Sequence, residues 1–206
     1  QYIGDWDTSS VTKMTSMFER TYAFDQDIST KTVTRDDGST YTAWDTSSVT
    51  SMPDMFRHTR AFNQPIGNWD TSSVTDMNYM FFLTQAFNQP IGDWDTSNVK
   101  KMGGLFWSTY VFNQDISEWD TANVTDMFYM FSEAKAFDQD ISPKTVTRDG
   151  RTYTAWDTSK VTKMEAAFKD NYVFNPDISD WNTANVPTMK EMFQGARLFN
   201  QDLSGW

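Results

Sequence analysis

"FNQPIGNWDTSSVTDMNYMF" runs from Phe62 to Phe81, and "FNQPIGDWDTSNVKKMGGLF" runs from Phe87 to Phe106. The second line begins 25 residues after the first and keeps its Trp, Val, Met and Phe in place. Working outward, eight of the nine Trp residues fall in one register: Trp6, Trp44, Trp69, Trp94, Trp119, Trp156, Trp181 and Trp206. Their gaps are 38, 25, 25, 25, 37, 25 and 25 residues. A fixed period of this size is the signature of a repeat architecture and outranks any local reading. Seven units run from Trp6 to Trp206.

Aligning the units separates apolar columns. Val74 and Val99, Met77 and Met102, Phe81 and Phe106, Phe62 and Phe87, and Ile66 and Ile91 each belong to a column that recurs through the chain. Val74, Met77, Met80 and Phe81 are spaced by three or four residues, which predicts one face of a short helix. Thr75 then stands at the N-cap and Asp76 in the first turn. The stretch around Ile66 predicts a short strand followed by a turn. The expected fold is therefore an α/β repeat solenoid, leucine-rich-repeat-like, of about seven 25-residue coils. Each coil holds one short parallel β-strand and one short helix, and stacking buries the apolar ring that one coil cannot bury alone. Two inserts, near 30–43 and 143–155, read "KTVTRDDGSTYTA" and "KTVTRDGRTYTA". Their alternation about Asp37-Gly38 and Asp149-Gly150 predicts β-hairpins. The whole of 1–206 reads as one domain. Because it starts and stops inside a unit, it reads as a piece of a longer array.

The pattern F-N-Q-D-I-S-x-W-D-T-[SA]-x-V-T-x-M-x-x-M-F resembles the BspA-like leucine-rich-repeat surface proteins. More closely, it is similar to the repeat of unknown function in mycoplasma surface lipoproteins. The resemblance covers essentially the whole chain. It implies an extracellular or cell-surface repeat module for adhesion or partner recognition, with no assigned catalytic residues.

The chemistry of the side chains narrows the function further. Lys plus Arg number 17 against 28 Asp plus Glu, a net charge of −11 that repels nucleic acid. No apolar run is long enough to insert in a membrane. There is no Cys and a single His, His58, so nucleophile–base pairs have little to draw on. The chain is read as no enzyme, with no cofactor.

The Asp ladder after each Trp (Asp7, Asp45, Asp70, Asp95, Asp120, Asp157) is best explained by Asx-turns. Asp70, Asp95 and Asp120 are weaker calcium candidates, and calcium is left open. The unbroken Thr column beside it predicts a hydroxyl ladder between coils, with an ice- or mineral-binding surface as the alternative. Asn and Gln columns predict amide ladders. Open array ends suggest a second alternative, a structural segment of an extracellular fibre with end-to-end self-association.

Columns that vary while the frame stays fixed are the freest to bind. Tyr79, Phe82, Trp107, Tyr110, Phe128 and Tyr129 are aromatic where neighbouring units are polar, and Trp107 lies outside the Trp register. They form the candidate binding patch for a protein or glycan on a surface.

Overall fold

A computed structural model describes residues 1–206. Its units do stack in register. The Phe18, Phe56, Phe81, Phe106, Phe131, Phe168 and Phe193 rings form one column with centroids 5.7–5.8 Å apart. Phe24, Phe62, Phe87, Phe112, Phe137, Phe174 and Phe199 form a second column beside it. Within each coil the two rings also face one another, as Phe81 and Phe87 do at 4.2 Å. Register Trp rings stack likewise, Trp44 on Trp69 at 6.2 Å and Trp156 on Trp181 at 6.0 Å. Each register Trp from Trp44 onward donates its indole N–H to the Ile carbonyl one coil back, as Trp94 does to Ile66 at 3.0 Å. A polar atom that must be buried with the ring is thereby satisfied. The result is one continuous core in which Val, Met and Ile fill the space between the aromatic columns.

The secondary structure is not the expected one. There is no helix, and the only strands are four short ones in two antiparallel hairpins, so the α/β solenoid with a strand and a helix in every coil is overturned. The stretch expected to be helical is a ribbon of tight turns. In 77–84, Met80, Phe82 and Thr84 donate their N–H groups to the carbonyls of Met77, Tyr79 and Phe81. The alternate N–H groups leave the coil: Met77, Tyr79, Phe81 and Leu83 donate to Lys101, Gly103, Leu105 and Trp107, all at 2.9–3.0 Å. An α-helix would send the Phe81 N–H to Met77. Here that donor is spent on the next coil. Left-handed backbone at Tyr79 (φ 56°) and Leu83 (φ 60°) closes two of the turns, and the same two positions recur in every coil. Apolar residues three and four apart suit such turns as well as they suit a helix. The Ser, Thr, Asn, Gly and Phe that fill the segment are indifferent helix formers.

The expected parallel strand at Ile66 is also missing. There the chain turns through Trp69 N–H to Ile66 O and Val74 N–H to Thr71 O. Parallel pairing shrinks to one bridging residue per coil, along Lys13, Ser51, Asp76, Lys101, Asp126 and Lys163.

The strands belong to the inserts. β1 (Lys31–Thr34) pairs antiparallel with β2 (Thr40–Ala43), and β3 (Lys144–Arg148) with β4 (Arg151–Ala155). The β3–β4 turn is Asp149-Gly150 with φ of 50° and 75°, the paired left-handed residues of a two-residue hairpin turn. Both hairpins fold back over preceding coils. Tyr41 donates its hydroxyl to Asp5 O and Tyr153 donates its own to Glu118 O, each at 2.6 Å. Arg148 reaches Gly92 O and the Glu118 carboxylate, and Arg151 reaches Asp120 at 3.1 Å.

Candidate functional site: an aromatic patch on the turn ribbon

The turn ribbons lie side by side, so their outward columns form one face. Within the ribbon Met77, Met80 and Phe81 point into the core, which leaves Asn78, Tyr79, Phe82 and Leu83 on the outer side, half-buried. In the next coil these four positions are Gly103, Gly104, Trp107 and Ser108, and in the one after Phe128, Tyr129, Ser132 and Glu133.

Five of the six predicted aromatics meet there. Trp107 stacks on Phe82 at 4.4 Å with 20° between planes, and takes Tyr129 on its other side at 4.7 Å. Tyr79 meets Phe128 edge-on at 5.8 Å, across the coil that separates them. Gly103 and Gly104 make that contact possible. A Cβ on Gly103 would collide with the Phe128 ring and one on Gly104 with the Tyr79 ring. The glycine pair leaves the gap that two rings from flanking coils fill. Its signal was in the sequence, since "MGGLF" breaks columns filled by "MNYMF" and "MFYMF" on either side.

Charged groups rim the patch at both ends. On one side the Arg57 guanidinium sits 5.2 Å from the Phe82 ring and His58 meets that ring edge-on at 5.4 Å. On the other, Glu133 accepts from the Trp107 indole N–H (3.3 Å) and from the Ser108 hydroxyl (2.9 Å). Burial pushes the Tyr79 hydroxyl above its ordinary range, with the negative charge of Asp126 adding to it. Burial likewise lowers His58, helped by Arg57 and Arg20, so its neutral form is favoured. Burial raises the Asp54 carboxyl against the pull of Arg57.

Tyr110 does not join. It stands in a separate exposed column and packs under Lys135, whose ammonium is 4.1 Å from its ring centre.

The calcium candidates are otherwise engaged. Asp70, Asp95 and Asp120 each accept the N–H two residues on, from Ser72, Ser97 and Ala122 at 2.9–3.1 Å. Arg151 lies 3.8 Å from Asp95 and 3.1 Å from Asp120, where a shared cation would have to sit. No group of three acidic or His side chains is placed to hold a metal ion. The Thr column is buried from Thr8 to Thr158. Thr46, Thr71, Thr96 and Thr121 donate their hydroxyls to the Asp carbonyls of the next coil at 2.8–3.0 Å. Buried hydroxyls spent this way leave the Thr ladder no open face for ice or mineral. The amide columns are ladders: Asn63 Oδ1 accepts the Asn88 N–H, and Asn88 Oδ1 accepts the Asn113 N–H.

A family profile described as "Mycoplasma protein of unknown function, DUF285" matches residues 1–35, 31–144 and 146–206. The chain belongs to this family. Membership fits a surface repeat protein, while the BspA-like leucine-rich-repeat label goes beyond what the match carries. No curated protein and no solved structure matches the chain. No helix is long and apolar enough to cross a membrane.

Proposed function

We propose that this DUF285 chain is a non-enzymatic recognition module of the cell surface that binds a protein partner through the patch centred on Trp107. One observation carries the reading. The frame is complete without the patch, yet Tyr79, Phe82, Trp107, Phe128 and Tyr129 occupy it in three adjacent coils only. The same columns elsewhere hold Glu19, Asp54, Arg57, Glu165 and Lys169. A repeated column serves the frame, whereas a departure confined to neighbouring coils serves something outside it.

The ring geometry favours a protein over a glycan. A sugar stacks on an open ring face, and both faces of Trp107 are covered by Phe82 and Tyr129. Around it stand Tyr79 and Phe128, with Arg57 at one end of the patch and Glu133 at the other. Trp, Tyr and Arg anchors clustered inside a polar rim are the usual composition of a protein hot spot. Cell-surface placement is supported by the family.

The test is a panel of purified extracellular-matrix and cell-surface proteins offered to the wild-type chain, to Trp107→Ala and to Lys13→Ala. The reading expects a panel protein whose binding falls at least tenfold in Trp107→Ala and is unchanged in Lys13→Ala. Equal binding by all three chains, or no binding to the panel at all, would count against it.

A further inference from the structure

Tyr110 leads to a second surface. Its column reads Tyr22, Arg60, Gln85, Tyr110, Lys135, Tyr172 and Arg197 through the seven coils, all exposed. Each tyrosine is followed by a cation on its ring face: Arg60 over Tyr22 at 4.6 Å, Lys135 over Tyr110 at 4.1 Å, and Arg197 over Tyr172 at 4.7 Å.

These cations differ from most others in the chain. Arg35, Arg57, Lys101, Arg148, Arg151, Lys163 and Lys169 are each spent on a carboxylate. Arg60, Lys135 and Arg197 rest on tyrosines and meet no carboxylate, in a chain of net charge −11 where carboxylates are plentiful. A ring face holds a cation without consuming its hydrogen-bond donors. The column therefore presents three oriented positive groups with their donors open.

The amide ladder runs beside it, and its Gln89 and Gln114 side chains are tied to the previous coil. Arg60 and Arg197 are five coil steps apart, about 24 Å at about 4.8 Å per step. The column is thus long and sparsely positive, with tyrosines and a glutamine between its charges, and the two carboxylates of the ladder beside it, Asp25 and Asp138, accept from Gln64 and Asn113.

We propose that this column binds a linear polysaccharide carrying widely spaced carboxylate or sulfate groups. The anions would pair with Arg60, Lys135 and Arg197, and sugar hydroxyls would meet the tyrosine and amide groups between them. Nucleic acid fits poorly. A duplex carries one charge per about 1.7 Å, and three cations cannot offset its repulsion from the acidic remainder of the chain. The inference uses no residue of the Trp107 patch, so either reading can fail alone.

The experiment measures binding of the 206-residue chain at low and physiological salt to four polymers: hyaluronan (carboxylate), κ-carrageenan (sulfate), neutral dextran and single-stranded DNA. Binding to hyaluronan or κ-carrageenan, weakening with salt, is expected, and which of the two binds tells carboxylate from sulfate. Neutral dextran and DNA should stay unbound. Lys135→Gln should weaken binding about fivefold, the usual effect of one cation beside an anionic surface. The triple variant Arg60→Gln, Lys135→Gln, Arg197→Gln should abolish it. A control triple, Lys13→Gln, Lys100→Gln, Lys160→Gln, removes the same charge elsewhere and should keep most of it. Circular dichroism and melting of both triples check that folding is intact. The proposal is overturned if neither anionic polymer binds, if both triples lose equally, or if DNA binds as well as the glycans.

Discussion

Trp94→Ala probes the frame where it is best defined. Trp94 is 1% exposed, stacks on Trp119 at 6.4 Å and on Phe81 at 6.2 Å, and donates to Ile66 O. Truncating a buried Trp costs about 3–5 kcal/mol through lost transfer energy and the cavity left behind. No orphan acceptor adds to this, because Ile66 O still accepts the Trp69 N–H at 3.2 Å. Trp94→Phe separates the contributions. It refills most of the volume and loses the indole hydrogen bond, worth about 0.5–1.5 kcal/mol. Trp107→Ala removes a half-buried ring whose nearest contacts are Phe82, Tyr129 and a 3.3 Å bond to Glu133, with Tyr79 further off at 6.4 Å. Aromatic pairs contribute about 0.5–1.5 kcal/mol each, so Trp107→Ala should cost about 1–3 kcal/mol. Urea melts followed by circular dichroism would rank the variants by midpoint at a shared slope. The order of damage should be Trp94→Ala, then Trp107→Ala and Trp94→Phe close together. If Trp107→Ala unfolds the chain as readily as Trp94→Ala, Trp107 belongs to the frame and the patch is not free to serve a partner.

Gly104→Ala should displace the Tyr79 ring and cost about 1–3 kcal/mol as overpacking, seen as a lower urea midpoint with a shift in Trp107 emission. Asp7, Asp27, Asp37, Asp115, Asp177 and Asp202 are held below the ordinary carboxylate range by hydrogen bonds from the Ser two residues on. Their stabilisation is present above that range and lost as pH falls through the depressed values. Asp27→Asn with Asp115→Asn should therefore flatten the fall in melting temperature on acidification, and an unchanged pH profile would contradict the Asx role. Arg148→Ala should loosen the second hairpin with little effect on melting, because its partners Asp93 and Glu118 are 96% and 48% exposed. Faster proteolysis near Asp149 would report it.

The columns were legible in the sequence because each buried residue recurs at the coil period, and a core read that way does not depend on which backbone carries it. Trp94, Phe81 and Ile66 were placed inward correctly without knowing the secondary structure. The hairpins were legible too, since Asp149-Gly150 is a local turn signal. The turn ribbon was not, because the deciding fact is the partner of the Phe81 N–H, and that partner is Leu105, in another unit. No periodicity within one unit tells a donor bonded back to Met77 from one bonded sideways. Of the site, Trp107 stood out as the Trp off the register. Grouping Tyr110 with it failed because its column, that of Gln85, lies past the end of the 77–84 ribbon, where the ring packs under Lys135 instead. The glycine pair was visible as a break in pattern, but its meaning needed the flanking rings in place.

The most direct test of this account is the hydrogen bond of the Phe81 amide itself. Scalar coupling across the hydrogen bond, measured by NMR on the doubly labelled chain, joins a donor nitrogen to its acceptor carbonyl carbon. The coil-to-coil ribbon predicts a coupling from Phe81 N to Leu105 C′, with matching ones from Tyr79 to Gly103 and from Leu83 to Trp107. A coupling from Phe81 N to Met77 C′ would restore the helix and contradict the ribbon on which the patch is built.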